Sequence, residues 1–132
     1  MVEHEKLIIY IEDDPEMINL VKIILSQRGL KLIGSVNGKE GLDLIGSNSP
    51  DLILLDLMMP DMDGWDVFQR LKANDTTSHI PVIIITAKSQ PIDQLLGLSI
   101  AKVDDYISKP FHPQQLIDSV LRVLDSKKTL NL

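Results

Sequence analysis

The stretch "PDLILLDLMMPDMDGWD", residues 50–66, carries an almost unbroken apolar run straight into Asp56 and then into a loop holding three more aspartates. A short aliphatic run bounded by proline on one side and turn residues on the other reads as a strand buried on both faces. Such a strand belongs in the middle of a parallel sheet. Its carboxylate end then needs a reason, because an acid there is either a cap or loop residue or part of a site.

Working outward, four other runs have strand length and strand composition: "KLIIYI" (6–11), "LIGSV" (32–36), "VIIIT" (82–86) and "DYIS" (105–108). Helical patterns separate them. In the first, Met17, Leu20, Val21, Ile24 and Leu25 recur at helical spacing and are expected to face the core, with Glu16, Asn19, Lys22 and Ser26 opposite. Asp14 and Pro15 read as cap and first-turn residue, and Gly29 as the stop. Residues 37–45, 64–73, 92–100 and 113–124 supply four more helices, the last striped by Leu116, Val120 and Leu124. Five βα units in succession, joined by short right-handed crossovers, predict a doubly wound parallel sheet with helices on both faces. No repeat or interdomain linker interrupts it; only "SKKTLNL" (126–132) is expected to fray.

Composition sets limits on function. The 132 residues fit one domain, and 44% hydrophobic with 24% charged residues is a globular balance. A net charge of -6 opposes direct binding to nucleic acid phosphates. The absence of cysteine removes thiolate chemistry and disulfides. No apolar run spans a bilayer and "MVEHEK" is no signal peptide, so no membrane partner and a cytoplasmic location are expected.

In a sheet of this kind, ligands bind outside the carboxyl ends of the strands where strand order reverses. Those ends carry Glu12 and Asp13, then Asp56, Thr86 and Lys109. Taken singly, each has an ordinary structural reading as a cap or surface charge. Together they are harder to dismiss, because clustered carboxylates at neutral pH call for a cation. Oxygen-only donors suit a hard ion such as Mg²⁺.

At these residues the chain resembles the receiver domain of response regulators, chemotaxis-receiver-like proteins of two-component signalling. The resemblance rests on "IEDDP", "LILLDLMMPDMDGW", "IITA" and "DDYISKPF", in the family's order and spacing, and covers residues 6–126. It implies a receiver domain over 1–126 with a short tail over 127–132, and the flavodoxin-like strand order 2-1-3-4-5. It also implies that Asp56 is the phosphoacceptor, taking a phosphoryl group from a histidine kinase or phosphotransfer protein. Asp13, Asp56 and the backbone carbonyl of Met58 would ligate Mg²⁺, or Mn²⁺ in its place, with Glu12 acting through water. Thr86, Lys109 and the backbone of Ala87 would bind the phosphoryl group, and Lys109 would precede a cis Pro110. Thr86 and Tyr106 would form the switch, read out to an unknown output protein or domain through the fourth helix, fifth strand and fifth helix.

Other readings fit less well. Haloacid dehalogenase-type phosphatases also place a nucleophilic aspartate after a parallel strand, but their general acid two residues on would here be Met58. Action on a separate metabolite is therefore not expected. A binding-only receiver would lack one of Asp13, Asp56 or Lys109, and none is missing. Flavin binding lacks a phosphate-binding loop. An EF-hand over "DMDGWD" fails at the position of Gly64 and at Lys72, so Asp61 and Asp63 read as turn and cap residues. Pro91 and Gly97 should make the fourth helix easy to remodel, although Gly97 could equally serve close packing. Two departures from the family pattern remain. Lys102 and Val103 replace small residues before the fifth strand, and Gln94, Ser119 and Leu121 replace the interface charges of regulators with winged-helix outputs.

Overall fold

The five apolar runs form five parallel strands, β1 (Leu7–Ile11), β2 (Lys31–Ser35), β3 (Leu52–Leu55), β4 (Val82–Thr86) and β5 (Asp105–Ser108), in the sheet order β2-β1-β3-β4-β5. The computed structural model describes residues 5–88 and 90–130, with backbone alone for 127–130. The helices are α1 (Pro15–Ser26), α2 (Gly38–Asn48), α3 (Gly64–Ala73), α4 (Pro91–Leu95) and α5 (Pro113–Leu130). This is the doubly wound order expected above.

Every residue of β3 and β4 is buried, as is β1 from Ile8 onward, which is why these runs are apolar at both odd and even positions. On one face Ile8, Tyr10, Leu54 and Ile85 pack under α1 and α5 through Val21, Leu25, Leu116 and Val120. On the other, Ile9, Ile11, Leu55 and Ile84 pack under α2 and α3 through Ile45, Val67 and Leu71. Each fully buried Leu or Ile contributes about 1.5–3 kcal/mol, so the sheet and its two apolar layers hold the fold.

Local signals set the helix ends. Asp14 caps α1 by accepting the Glu16 amide at 3.0 Å. Gly29, at φ 73, stops it, with Leu30 N–H reaching back to the Leu25 carbonyl at 3.3 Å in a Schellman turn. Asn37 caps α2 and Asp63 caps α3, each through its side chain.

Three expectations need correction. In α1 the core face holds Ile18 with Val21, Ile24 and Leu25, while Leu20 is 46% exposed. Seven apolar residues occupy this helix, more than one face can hold, and the packed arc centres on Val21 and Leu25. The fourth helix is not uniform: after α4 the chain winds as a π-helical turn over Leu96–Ile100, closed by Ala101 N–H to the Leu96 carbonyl at 2.7 Å. Helical periodicity cannot distinguish such a turn from an α-helix over nine residues. Finally, α5 runs past Leu124 to Leu130, into the segment expected to fray, because no glycine or proline interrupts it; Asn131 and Leu132 lie outside the described residues.

The segment entering β5 turns through Lys102 at φ 60, a left-handed conformation that disfavours residues with a Cβ. Val103 behind it is buried and donates to the Gly97 carbonyl at 2.9 Å. Lys102→Gly should therefore stabilise the protein by about 0.5–1 kcal/mol, the relief of left-handed strain less the added freedom of the unfolded chain. Urea unfolding reads this directly, and an unchanged or lowered midpoint would mean that the turn carries no strain.

Candidate functional site

Strand order reverses between β1 and β3, and the backbone just beyond the ends of β1, β3 and β5 is held by one more ladder bond. Glu12 N–H donates to Ser35 at 2.9 Å, Asp56 N–H to Ile11 at 3.0 Å and Lys109 N–H to Thr86 at 2.9 Å. Glu12, Asp56 and Lys109 are thus the first positions past their strands, each fixed in backbone by a bond to the neighbouring strand. Glycine makes the exit from β3 feasible. A Cβ on Gly64 would lie 2.5 Å from the Asp56 carbonyl oxygen and 2.5 Å from the Leu57 Cα, so α3 can begin this close only because residue 64 has none.

On this platform Glu12, Asp13 and Asp56 bring carboxylate oxygens within 4.8 Å of one another. Glu12 and Asp56 are buried, whereas Asp13 is exposed. The Lys109 ammonium bridges the two buried ones, donating to Asp56 Oδ2 at 2.9 Å and to Glu12 Oε1. Its peptide to Pro110 is cis. Asp56 Oδ1 accepts the Met58 amide at 3.0 Å.

The electrostatics follow from these contacts. Burial works against ionised Asp56, but the Met58 amide, the Lys109 ammonium and the Thr86 hydroxyl outweigh it and hold its carboxyl below its ordinary range. Burial, opposed by Lys109 and reinforced by Asp56, pushes Glu12 up to about 7. Burial also disfavours the Lys109 ammonium, yet its two carboxylate partners hold it above its ordinary value. Asp56 is therefore an anion at neutral pH, partnered by the Lys109 ammonium and the Met58 amide.

Around this centre Thr86 is fully buried at the end of β4, with its hydroxyl accepting the Lys88 amide at 3.3 Å, and Ala87 is exposed beside it. Tyr106 is buried, with its hydroxyl donating to the Lys88 carbonyl. Burial and the charges of Asp93 and Asp56 push that phenol up to about 12. Its ring lies against Gly97, where a Cβ would come within 2.7 Å, so Gly97 serves close packing. Trp65 meets Phe68 edge-on at 5.8 Å and lines a cleft with Asp13, Met58 and Lys88. Asp61 and Asp63 bond to backbone amides, of Gly38 and Trp65, and lie outside the carboxylate cluster.

Tyr10 was not legible as part of the site. It is fully buried, and its hydroxyl donates to Glu12 Oε1 at 3.2 Å. The signal was its spacing: two residues before Glu12, it shares a sheet face with that carboxylate.

The donor set fits a hard divalent cation, since three carboxylates converge with no histidine or cysteine among them and the exposed Asp13 leaves room for retained water. Among the described residues, Lys109 is the one cationic side chain bonded to the two buried carboxylates. Lys109→Met should lower the stability of the metal-free protein by about 3–5 kcal/mol, and adding Asp56→Asn to it should restore part of the loss. Urea unfolding in a chelator checks this, and a neutral single variant would show that the bridge does not compensate the carboxylates.

Comparison with known proteins agrees with this geometry. A family model described as the response regulator receiver domain matches residues 8–121. The DNA-binding dual master transcriptional regulator RpaA of Synechocystis is 39% identical over 117 residues, covering 89% of this chain and 48% of that protein. The chain thus spans about half the length of the curated relatives it matches. Among solved structures, a signal receiver domain from Vibrio parahaemolyticus superposes with a TM-score of 0.88 at 27% identity, covering 97% of this chain and 96% of that one. The receiver domain of a signal transduction histidine kinase from Syntrophus aciditrophicus gives 0.82 at 34% identity, with 92% and 91% covered. With a family match across most of its length and the family's strand order in its sheet, the chain belongs to the response regulator receiver domain family.

Proposed function

We propose that this chain is a phosphoaccepting switch in which Asp56 takes a phosphoryl group from the phosphohistidine of a sensor kinase or phosphotransfer protein. The observation that carries the reading is the convergence on one buried carboxylate of the Lys109 ammonium and the Met58 backbone amide. The Asp56 carboxylate attacks phosphorus as the P–N bond breaks, leaving an acyl phosphate. Lys109, already beside Asp56, then pairs with a phosphoryl oxygen, and Thr86 and the Ala87 amide bind the others.

Asp13, Asp56 and the Met58 carbonyl would hold Mg²⁺, with Glu12 acting through water. Bound there, the ion supplies charge neutralisation on the phosphoryl oxygens. The chain's own part is to keep nucleophile and ammonium in line on the strand ends.

The switch would run through Thr86 and Tyr106. Thr86 leaves the Lys88 amide to reach the phosphoryl group, which disturbs the 86–88 backbone that also accepts from the Tyr106 hydroxyl. Tyr106 packs against Gly97 in the π-helical turn, so the segment 91–100 and the adjoining β5–α5 surface form the output face. RpaA is named as a DNA-binding regulator, and for this chain we extend that only to control of an output partner in the cytoplasm.

Incubation with a small phosphodonor and Mg²⁺, followed by intact-mass measurement, should yield one phosphoryl adduct on the wild type and none on Asp56→Asn, whose amide keeps the shape but is no nucleophile. Equal labelling of the two proteins would remove Asp56 from the reaction.

A further inference from the structure

The loop after Asp56 must hold its backbone against a cation, yet it contains almost no internal structure. Its far end is pinned by Gly64 N–H to the Leu57 carbonyl at 3.1 Å, and its near end by the Met58 amide on Asp56. Between them, among the described residues, the hydrogen bonds that tie 59–62 to another part of the chain run to Asp61. The amide of Gly38, 23 residues earlier, donates to Asp61 Oδ1 at 3.2 Å and Oδ2 at 3.0 Å.

Gly38 is the first residue of α2, and its N–H is one that the helix leaves without an intrahelical acceptor. The ordinary cap does not use it: the Asn37 side chain accepts from Glu40 N–H at 2.8 Å instead. A carboxylate also suits the positive end of the helix. The fit is steric as well. A Cβ on Gly38 would lie 3.1 Å from Val67 Cγ2 and 3.2 Å from Met62 Cβ, so α2 starts directly against the loop and α3.

We infer that Asp61 is a positioning residue for the cation site, tethering the 58–62 loop to the start of α2 so that the Met58 carbonyl is held in place before a metal arrives. This rests on the reading of Asp13, Asp56 and Met58 as metal ligands. Asp61 touches neither the cation nor the phosphoryl group; it acts through the backbone of its loop.

Mn²⁺ binding, measured from the free-ion electron paramagnetic resonance signal, tests the tether with a readout other than phosphorylation. Asp61→Ala should weaken Mn²⁺ binding about 10-fold, the loss usual when a group supporting a metal ligand is removed. Asp61→Asn should retain most of the wild-type affinity, because its amide oxygen still accepts from Gly38. That comparison separates tether from charge, since both variants lose the same negative charge. Asn37→Ala, which removes the side-chain cap of α2 but spares the tether, should leave the affinity unchanged. The inference is overturned if Asp61→Ala binds as the wild type does, if Asp61→Asn is as weak as Asp61→Ala, or if Asn37→Ala matches that loss. Asp13→Ala identifies which layer has failed. If it too binds normally, the cation is held elsewhere and the metal reading falls with the tether; if it alone loses affinity, only the tether falls.

Discussion

One ammonium stands between two carboxylates that are almost out of water, Glu12 at 1% and Asp56 at 4% exposure. Desolvating one anion costs several kcal/mol, and placing a second beside it adds repulsion. Lys109 offsets this for both at once, and the hydroxyl of Tyr10 and the amide of Met58 add a hydrogen bond to each. Asp13, exposed at the rim, adds negative charge that the lysine does not contact. The arrangement is stable enough to persist and under-neutralised enough to take up a cation.

The rest of the fold keeps those groups together. Side chains can be forced into like-charge contact only if their backbones cannot retreat, and here Glu12, Asp56 and Lys109 are each the first residue beyond a parallel strand, fixed by a ladder bond to its neighbour. The aliphatic layers on both faces supply the free energy, and the reversal of strand order opens a gap at the β1 and β3 ends where the acids meet. Gly64 allows α3 to start against the Asp56 backbone, and Asp61 ties the intervening loop to α2. On the other side the design loosens. The segment 91–100 has only Gly97 buried and changes from α to π winding, so few buried contacts hold it in place.

How legible this was depended on the kind of signal. Runs of β-branched and aliphatic residues ending on Glu12, Asp56, Thr86 and Lys109 mark both the strands and the polar groups gathered at their ends, because burial and charge conflict visibly along one short stretch. Asp61 was legible as a turn residue, but its donor is 23 positions away and only the tertiary fold brings Gly38 to it. Tyr10 was hidden because a strand buried on both faces makes a tyrosine look like one more apolar residue. Leu20 was misplaced because α1 holds more apolar residues than its core face can cover. The π-helical turn was invisible for a related reason, since one extra residue per turn leaves the hydrophobic spacing of a short segment nearly unchanged. Lys102 departs from the family pattern, and its left-handed conformation explains why a small residue suits that position.

The central claim is that the carboxylates are gathered for a cation and repel one another without it. Unfolding midpoints of wild type and Asp13→Ala, followed as Mg²⁺ is raised, test it most directly. The wild type should gain stability with the logarithm of Mg²⁺ concentration once the site begins to fill. Asp13→Ala should start at least as stable in the absence of metal and respond little. A variant that starts less stable and climbs in parallel with the wild type would contradict the account, because Asp13 would then neither repel its neighbours nor hold the ion.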